Sequence, residues 1–343
     1  MDPSILSSLE GYHSKTVVYK STSAGDIKLD ILYPAGVSEL PRTVLLHYHG
    51  GFLVVGDRYA FIPHWLVKAA TSRGWIFVTP DYRLIPESTA QASVEDACDA
   101  YAWVLSNLAR ELDCKIASVL MAGSSAGGYL ALTTAVEAER KPSGLLLIYG
   151  MLNPTISRYT TPGTNVFGRP PPADTASILA RYPMHEDGDT RKAISANPVA
   201  ANPADEPRFD LVSALHVDAV FLDYMTGIKG LGRLVAEQGP SAISEAHRDL
   251  FPLAFAGTHK LSKLPQTFLL HGHNDSAVPV EHSLEAAERL RNAGVHVDLE
   301  APDDAEHGFD GKSGTTDVES TEGEKVHGYQ SLRKAIAFLQ RAS

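Results

Sequence analysis

The sequence predicts an α/β fold with a mainly parallel central sheet and helices on both faces. Segments with a strand pattern alternate with segments of helical periodicity along most of the 343 residues, and this alternation is typical of a parallel sheet. Several strand segments are continuously apolar, as expected for strands covered on both faces. One of them leads directly into Gly123-Ser124-Ser125-Ala126-Gly127, which a helical pattern follows.

The individual elements follow from these patterns. Residues 16–20 and 27–33 alternate between apolar and polar side chains, which predicts half-exposed strands. The remaining predicted strands are 43–48, 75–80, 118–122, 144–149, 267–271 and 296–300, and the predicted helices are 59–73, 93–113, 280–293 and 323–341.

One region interrupts the alternation. Residues 151–262 contain no clear buried strand, carry Pro170-Pro171-Pro172 near their start and have a helical pattern over 210–237. A loop of this length without structure is rare inside a compact domain, so we interpret the region as an inserted helical cap. Its apolar side chains either seal the cap onto the domain or line a pocket. They are Leu215, Val220, Phe221, Tyr224, Met225 and Leu231.

Composition excludes several classes of function. The net charge of −11 opposes binding to nucleic acid or to an anionic membrane surface. Two cysteines, Cys98 and Cys114, are too few for a disulfide framework. No apolar run reaches the roughly 18 residues of a membrane span, and the first residues lack the pattern of a secretory signal. We therefore expect a cytoplasmic protein.

The motif around Ser125 predicts a nucleophilic serine. G-x-S-x-G between a strand and a helix holds the serine on a tight turn, with its hydroxyl projecting towards a substrate. Glycines are needed there because the turn brings main chain close to main chain. A serine hydroxyl is a weak nucleophile until a histidine takes its proton, and the histidine needs an acid to orient it. In this type of sheet the acid and then the base follow the serine along the chain.

Asp275 and His307 are the candidates for acid and base. Asp275 lies in the loop after a late predicted strand, where such sheets place their sites, although taken alone it is equally consistent with a turn or an N-cap residue. Among the fourteen histidines, His307 lies between the last predicted strand and the last predicted helix. His271 and His273 lie too close to Asp275 to be the natural base, and His327 is expected inside the final helix.

Backbone N–H groups near the serine are candidates for an oxyanion hole, which the tetrahedral intermediate of acyl transfer requires. Predicted strand 43–48 ends in His49-Gly50-Gly51-Phe52, whose glycines let N–H groups approach a ligand, although by itself this stretch is also consistent with a simple tight turn. The N–H of Ala126 is the second source, and the following helix favours negative charge. The predicted oxyanion hole is Gly50, Gly51, Phe52 and Ala126.

Five motifs occur in the order of a known family. They are His49-Gly50-Gly51, Asp81-Tyr82-Arg83-Leu84 with Pro86-Glu87, Gly123-Ser124-Ser125-Ala126-Gly127-Gly128, residues 272–275 and His307-Gly308-Phe309. With them the chain resembles the hormone-sensitive-lipase-like esterases of the α/β-hydrolase superfamily over residues 43–310.

The resemblance implies an α/β-hydrolase fold, hydrolysis of small-molecule carboxylic esters and no cofactor. It also implies a catalytic domain of residues 26–150 and 263–343, with a cap built from residues 1–25 and the insertion 151–262. The choice between a monomer and a homodimer stays open.

Two positions depart from the family pattern. Phe52 stands where the family has a third glycine, so its N–H remains but its side chain would narrow the acyl side of the pocket. Ser124 replaces the usual aspartate before the nucleophile, and its side chain is expected to point away from the site. The insertion is also long for the family, which leaves the substrate class open.

Other polar groups near the motifs have structural interpretations. Asp81 and Arg83 follow a buried strand, and we expect an ion pair that anchors neighbouring loops rather than catalytic groups. His47 and His49 have the spacing of two metal ligands, but no third ligand accompanies them. We therefore expect them to pack or to hydrogen-bond, without a metal.

The sequence thus predicts a serine hydrolase of carboxylic esters that acts through an acyl-enzyme. The same residues suit an acyltransferase, a lactonase or a thioesterase with a specialised substrate, for example one derived from a polyketide. A ligand-binding protein without catalysis on the same fold is the remaining alternative.

Overall fold

Eight strands form one sheet in the computed structural model, which describes residues 11–36, 40–166, 168, 170–186, 189–199 and 205–343. Their order across the sheet is β1-β2-β4-β3-β5-β6-β7-β8. The pairs of β2 with β1 and with β4 are antiparallel, and all others are parallel. The strands are β1 (Tyr12–Thr22), β2 (Gly25–Pro34), β3 (Arg42–Tyr48), β4 (Ile76–Pro80), β5 (Ile116–Ser124), β6 (Leu145–Ile148), β7 (Thr267–Leu270) and β8 (Val297–Glu300). The predicted α/β-hydrolase fold with a mainly parallel sheet is confirmed.

Helices cover both faces of this sheet. They are α1 (His64–Ser72), α2 (Ala90–Glu111), α3 (Ala126–Glu137), α4 (Ser157–Thr160), α5 (Thr175–Arg181), α6 (Arg208–Val217), α7 (Phe221–Thr226), α8 (Leu231–Gln238), α9 (Pro252–Phe255), α10 (Thr258–Leu261), α11 (Glu281–Asn292) and α12 (Tyr329–Ala342). Short 3₁₀ helices occupy Pro240–Ala242, Glu245–Leu250, Phe309–Ser313 and Glu322–Lys325. Within the described ranges, none of the helices is both long and apolar enough to cross a membrane.

The continuous apolar runs are explained by two cores, one on each face. Successive side chains of a strand point to opposite faces, so Val44 and Leu46 of β3 lie in one core while Leu45 lies in the other. The first core packs against α2, α3 and α11, and the second packs against α1 and α12. Both faces of β3 are thus covered, and all residues of β3 after Arg42 are buried.

β1 corrects the assignment of residues 1–25 to the cap. Tyr12 to Thr22 pairs along its length with β2, from Tyr12 opposite Pro34 to Thr22 opposite Gly25. This pairing satisfies the N–H and C=O groups that β2 would otherwise expose at the edge of the sheet. Residues 12–22 therefore belong to the sheet, while residues 1–10, including the start examined for a signal, lie outside the described residues.

Three predicted helices are shorter or interrupted because single residues adopt the left-handed conformation. Phe61 has a φ of 55°, so α1 begins after it rather than at residue 59. The predicted helix 210–237 is divided into α6, α7 and α8, with breaks at Ala219 (φ 54°) and at Gly227 (φ 76°). Gly328 (φ 74°) precedes α12, so His327 lies in a turn and not inside the final helix.

The region between β6 and β7 contributes no strand to the sheet in the residues that the structure describes. Of the apolar side chains considered for a pocket, most are buried in the core shared with α2 and α3, which supports the sealing role. They are Leu215, Phe221, Tyr224, Met225 and Leu231. The interpretation of residues 151–262 as a cap remains a proposal.

Arg208 joins α6 to the loops beneath it. Its guanidinium donates to the carbonyl oxygens of Val54 at 2.8 Å and Ile85 at 2.7 Å, and it pairs with the carboxylate of Glu87 at 2.8 Å. The side chain is only 7% exposed. Removing one member of a buried pair leaves the other without compensation, which is costly.

We expect Arg208→Ala to lower the free energy of unfolding by about 3 kcal/mol, because Glu87 and two carbonyl groups lose their donor. Urea denaturation measures this change. Arg233→Ala is the matched control, since Arg233 pairs with Glu237 on the surface and is 84% exposed. An equally small effect in both variants would contradict the anchoring role of Arg208.

Candidate active site

Ser125 lies on the sharp turn between β5 and α3 that the sequence predicts. Its backbone is in the left-handed region, with φ 58° and ψ −120°. A Cβ atom on Gly123 would lie 2.0 Å from the carbonyl oxygen of Gly127, and one on Gly127 would lie 2.0 Å from that of Tyr48. Such distances are impossible for real atoms, so the turn can form only with glycine at both positions.

The structure brings Ser125, His307 and Asp275 together. The hydroxyl of Ser125 lies 3.1 Å from Nε2 of His307, and Nδ1 of His307 lies 2.7 Å from Oδ2 of Asp275. Asp275 stands in the loop after β7, and His307 stands in the loop after β8. A hydroxyl, an imidazole and a carboxylate in this order can transfer a proton from the serine.

Asp275 is held in its ionised form. Its side chain is buried, which alone would raise the pKa of the carboxyl, but hydrogen bonds from His271 and His307 outweigh burial and keep the pKa well below its usual range. Oδ1 also accepts the backbone N–H groups of Ala277 at 2.9 Å and Val278 at 2.8 Å. The carboxylate is thus fixed in orientation as well as in charge.

His271 contributes to this arrangement, which the sequence analysis missed. Its buried ring donates from Nε2 to the carbonyl of Val278 at 2.8 Å and lies 3.3 Å from Oδ2 of Asp275. Its Nδ1 accepts from the hydroxyl of Ser283 at 2.7 Å. From its place in the sequence, His271 was not expected to be the base, and no other role was predicted for it. Its position four residues before Asp275 was the available signal.

Two N–H groups that are predicted to form the oxyanion hole, those of Gly51 and Ala126, lie beside Ser125. Neither has a hydrogen-bond acceptor among the described residues. A Cβ atom on Gly50 would be 3.1 Å from the Cβ of Ser125, so this stretch of backbone touches the serine. Gly51 has a φ of 109°, and its carbonyl accepts the N–H groups of Val54 and Val55. The N–H groups of Gly51 and Ala126 are therefore available to an oxygen atom of a ligand.

Phe52 keeps its backbone N–H and turns its side chain into the protein. The residue has a φ of 56° and is 2% exposed. Its ring lies edge-on against His216 at 5.1 Å and Phe221 at 6.2 Å, between ring centroids. Phe52 also lines the cavity in front of Ser125. That it narrows the acyl side in particular remains a prediction.

His47 and Ser124 bind each other, and His49 packs on Tyr82. The hydroxyl of Ser124 lies 3.0 Å from Nε2 of His47. This contact joins the Ser124 side chain to β3, which contains His47. The rings of His49 and Tyr82 stack with centroids 4.2 Å apart. Burial lowers the pKa of His47 to about 3 and that of His49 to about 4, so both rings are neutral. These contacts agree with the expected packing and hydrogen-bonding roles.

Asp81 and Arg83 form two ion pairs with other residues instead of one pair together. Asp81 pairs with Arg58 at 2.5 Å, and Arg83 pairs with Asp96 on α2 at 2.8 Å. Neither Asp81 nor Arg83 lines the cavity at Ser125. They anchor neighbouring segments of the chain, as the sequence analysis expected.

A cavity of about 200 Å³ opens in front of Ser125 and His307. Its apolar walls are Phe52, Phe61, Ile62, Pro63 and Phe209. Phe61 is 40% exposed and meets Phe209 of α6 with ring centroids 6.4 Å apart. These two rings form part of the rim, so the region between β6 and β7 contributes to the cavity through Phe209.

Tyr149 and Asp310 also line the cavity, and the sequence analysis missed both. Tyr149 directly follows β6, and Asp310 follows His307 by three residues. The proximity of Asp310 to His307 in the sequence was a signal that could have been used. No local pattern pointed to Tyr149. Among the described residues, no group of three or more His, Cys, Asp or Glu side chains could hold a metal ion.

Comparison with known families gives two matches along the chain. The family described as having the alpha/beta hydrolase fold matches residues 45–220. The prolyl oligopeptidase family matches residues 231–324. The first match includes Ser125 and the oxyanion segment, and the second includes Asp275 and His307.

In two relatives, the region that matches this chain is part of a much longer protein. A non-reducing polyketide synthase of Preussia isomera is 27% identical over 320 residues, which cover 86% of this chain and 12% of that protein. A non-reducing polyketide synthase of Penicillium roqueforti is 27% identical over 370 residues, which cover 98% of this chain and 14% of that protein. The chain therefore spans about an eighth of the length of these relatives.

Similar solved structures include esterases. The esterase of Pyrobaculum calidifontis has a TM-score of 0.61 at 21% identity, and the bacterial heroin esterase has 0.63 at 20%. Both alignments cover 99% of this chain and 89% of the other. An alpha/beta hydrolase superfamily protein of Enterococcus faecalis has a TM-score of 0.66 at 16% identity, covering 96% of this chain and 99% of the other. At these identities the likeness establishes the fold.

We expect Gly127→Ala to lower the free energy of unfolding by at least about 2 kcal/mol and to displace Ser125, because the new Cβ atom meets the backbone of Tyr48. Thermal and urea denaturation measure the loss of stability. Gly257→Ala is the control, since Gly257 has open space around it and an ordinary φ of −65°. Equal stability of the two variants would contradict the proposed constraint at Gly127.

Proposed function

Because the chain belongs to the α/β-hydrolase fold family, we propose that it hydrolyses carboxylic esters of small molecules through an acyl-enzyme. The observation that carries the proposal is the hydrogen-bonded series from Ser125 through His307 to Asp275, with distances of 3.1 and 2.7 Å. The structural similarity to the Pyrobaculum calidifontis esterase and to the bacterial heroin esterase supports ester hydrolysis.

In the proposed acylation step, Ser125 Oγ attacks the ester carbonyl while Nε2 of His307 takes its proton. The charge of Asp275 stabilises the imidazolium that forms and holds Nδ1 of the ring in place. Collapse of the tetrahedral intermediate breaks the bond to the alcohol, which leaves with the proton from His307. Water then attacks the acyl-enzyme by the same route and releases the carboxylic acid and free Ser125.

The negative oxygen of each intermediate would bind to the N–H groups of Gly51 and Ala126, with Gly50 and Phe52 as further candidates. Donors that are already oriented stabilise charge as it develops, and removal of one such donor costs about 2.7–4 kcal/mol in known serine enzymes. The N-terminus of α3, which begins at Ala126, adds a favourable dipole.

The proposed domain organisation follows from the same site. Residues 26–150 and 263–343 supply Ser125, Asp275, His307 and the candidate oxyanion segment, and together with β1 they would form the catalytic domain. Residues 151–262 would form a cap that covers the cavity, to which they contribute Phe209. The substrate would then enter between Phe209 and Phe61.

We expect Ser125→Ala to reduce kcat for short p-nitrophenyl esters by on the order of 10⁶-fold, because no other group replaces the nucleophile. The fold should be retained, as circular dichroism and thermal denaturation would verify. A fluorophosphonate probe should label the wild-type protein and Ser124→Ala but not Ser125→Ala. Hydrolysis or labelling that persists in Ser125→Ala would refute the assignment, and absence of labelling in the wild type would favour a ligand-binding protein.

A second candidate function is the transfer or release of an acyl group carried as a thioester. The observation that favours it is the similarity of almost the whole chain to part of two polyketide synthases. The same residues would attack a thioester, release the thiol and pass the acyl group to water, an alcohol or an amine. The proposal therefore includes a specialised, polyketide-derived acyl group as one substrate class.

Product partition distinguishes the two candidates. With matched ester and N-acetylcysteamine thioester substrates, a general esterase should prefer the ester and release free acid even when an alcohol is added. An acyltransferase should form the new ester in proportion to the added alcohol. Liquid chromatography with mass detection measures both products, with Ser125→Ala as the blank.

A further inference from the structure

A buried series of side chains leads from His307 to α1. The rings of His307 and Tyr149 lie 4.6 Å apart, centroid to centroid, at an angle of 58°. The hydroxyl of Tyr149 donates to Oδ1 of Asp310 at 2.8 Å. The indole N–H of Trp65 on α1 donates to Oδ2 of the same carboxylate at 2.7 Å. His307 therefore has a carboxylate, Asp275, on Nδ1 and a second carboxylate behind the tyrosine that packs on its ring.

The backbone of Tyr149 is strained. Its φ of 36° lies in the left-handed region, which is strained for a residue other than glycine and is frequent at functional sites. Its N–H donates to the carbonyl of Leu270 on β7 at 2.6 Å, which holds the main chain in this conformation. In this conformation the tyrosine ring lies against His307.

Asp310 is too enclosed to act as a general acid or base on a substrate. The residue is 1% exposed, and both carboxylate oxygens accept a hydrogen bond. Burial raises the pKa of Asp310, and the bonds from Trp65 and Tyr149 and the positive charge of a protonated His307 offset this rise only in part. Burying a carboxyl group is costly unless it is hydrogen-bonded, and here both of its oxygens are.

We propose that Asp310 is a positioning residue that acts through Tyr149 on His307. Together with Trp65 it fixes the tyrosine ring that supports the imidazole, so that the imidazole stays in place when Ser125 attacks. This inference rests on the proposed serine-hydrolase function, and it adds a second carboxylate to the three residues of that mechanism.

The test measures kcat and KM of Asp310→Asn and Tyr149→Phe with a p-nitrophenyl ester. We expect Asp310→Asn to lower kcat by about tenfold and to leave KM within about twofold, because the imidazole loses its support while the cavity keeps its shape. Tyr149→Phe keeps the ring but removes its hydrogen bond, so kcat should fall with the same small effect on KM. Tyr101→Phe is the control, because it removes another buried tyrosine hydroxyl, which donates to the carbonyl of Arg140.

Several outcomes would overturn the inference. An unchanged kcat in folded Asp310→Asn would leave Asp310 with a structural role only, and a rise in KM alone would indicate contact with substrate. If Asp310→Asn does not fold, an unchanged kcat in Tyr149→Phe overturns the proposal. The rate of fluorophosphonate labelling separates this failure from failure of the proposed function. A wild-type protein that does not label refutes the function, whereas equal labelling rates in the wild type and Asp310→Asn refute the inference alone.

Discussion

The close contact between Gly127 and the backbone of Tyr48 determines where the candidate nucleophile lies. Without a Cβ atom at Gly127, the start of α3 can approach the end of β3, and this approach holds Ser125 in its left-handed conformation. The same approach brings Gly50, two residues beyond Tyr48, against the Cβ of Ser125. The positions of the serine and of the nearby candidate oxyanion donors are therefore set by one packing constraint between two neighbouring strands.

The sheet assembles the rest of the site from consecutive parallel strands. β3, β5, β6, β7 and β8 are neighbours in this order. The segments after them supply, in turn, the candidate oxyanion glycines, Ser125, Tyr149, Asp275 and His307. Because the carboxyl ends of parallel strands meet at one edge, residues far apart in the chain converge there. This order determines which groups surround the imidazole of His307. The imidazole lies between the carboxylate of Asp275, which His271 holds, and the ring of Tyr149, which Asp310 holds.

The parts of the protein that could be predicted from sequence depend on local patterns. Apolar runs located the buried strands, because a parallel strand covered on both faces is apolar along its length. The predicted α/β fold is confirmed. The candidate residues Ser125, Asp275 and His307 were named from motifs and from their positions after strands, and the structure brings them within hydrogen-bonding distance. Their catalytic roles remain predictions.

The residues that were missed depend on partners far away in the chain. Trp65 and Asp310 are separated by 245 positions, and nothing near either residue indicates the other. No role was predicted for His271, because Asp275 was considered only as the partner of the catalytic base. The helix breaks at Ala219 and Phe61 were missed because a left-handed φ in a residue other than glycine has no reliable sequence signal. The assignment of residues 1–25 to the cap came from the family resemblance alone, although the alternating pattern at 16–20 already indicated a strand.

The central claim is that the serine, the imidazole and two backbone donors converge on one reacting carbon. A crystal structure of the adduct with a p-nitrophenyl phosphonate tests it most directly, because the phosphonyl group imitates the tetrahedral intermediate. We predict a bond from Ser125 Oγ to phosphorus, with the phosphoryl oxygen about 3 Å from the N–H groups of Gly51 and Ala126 and His307 beside Ser125. Modification at another residue, or a phosphoryl oxygen directed away from both N–H groups with His307 remote, would contradict the account.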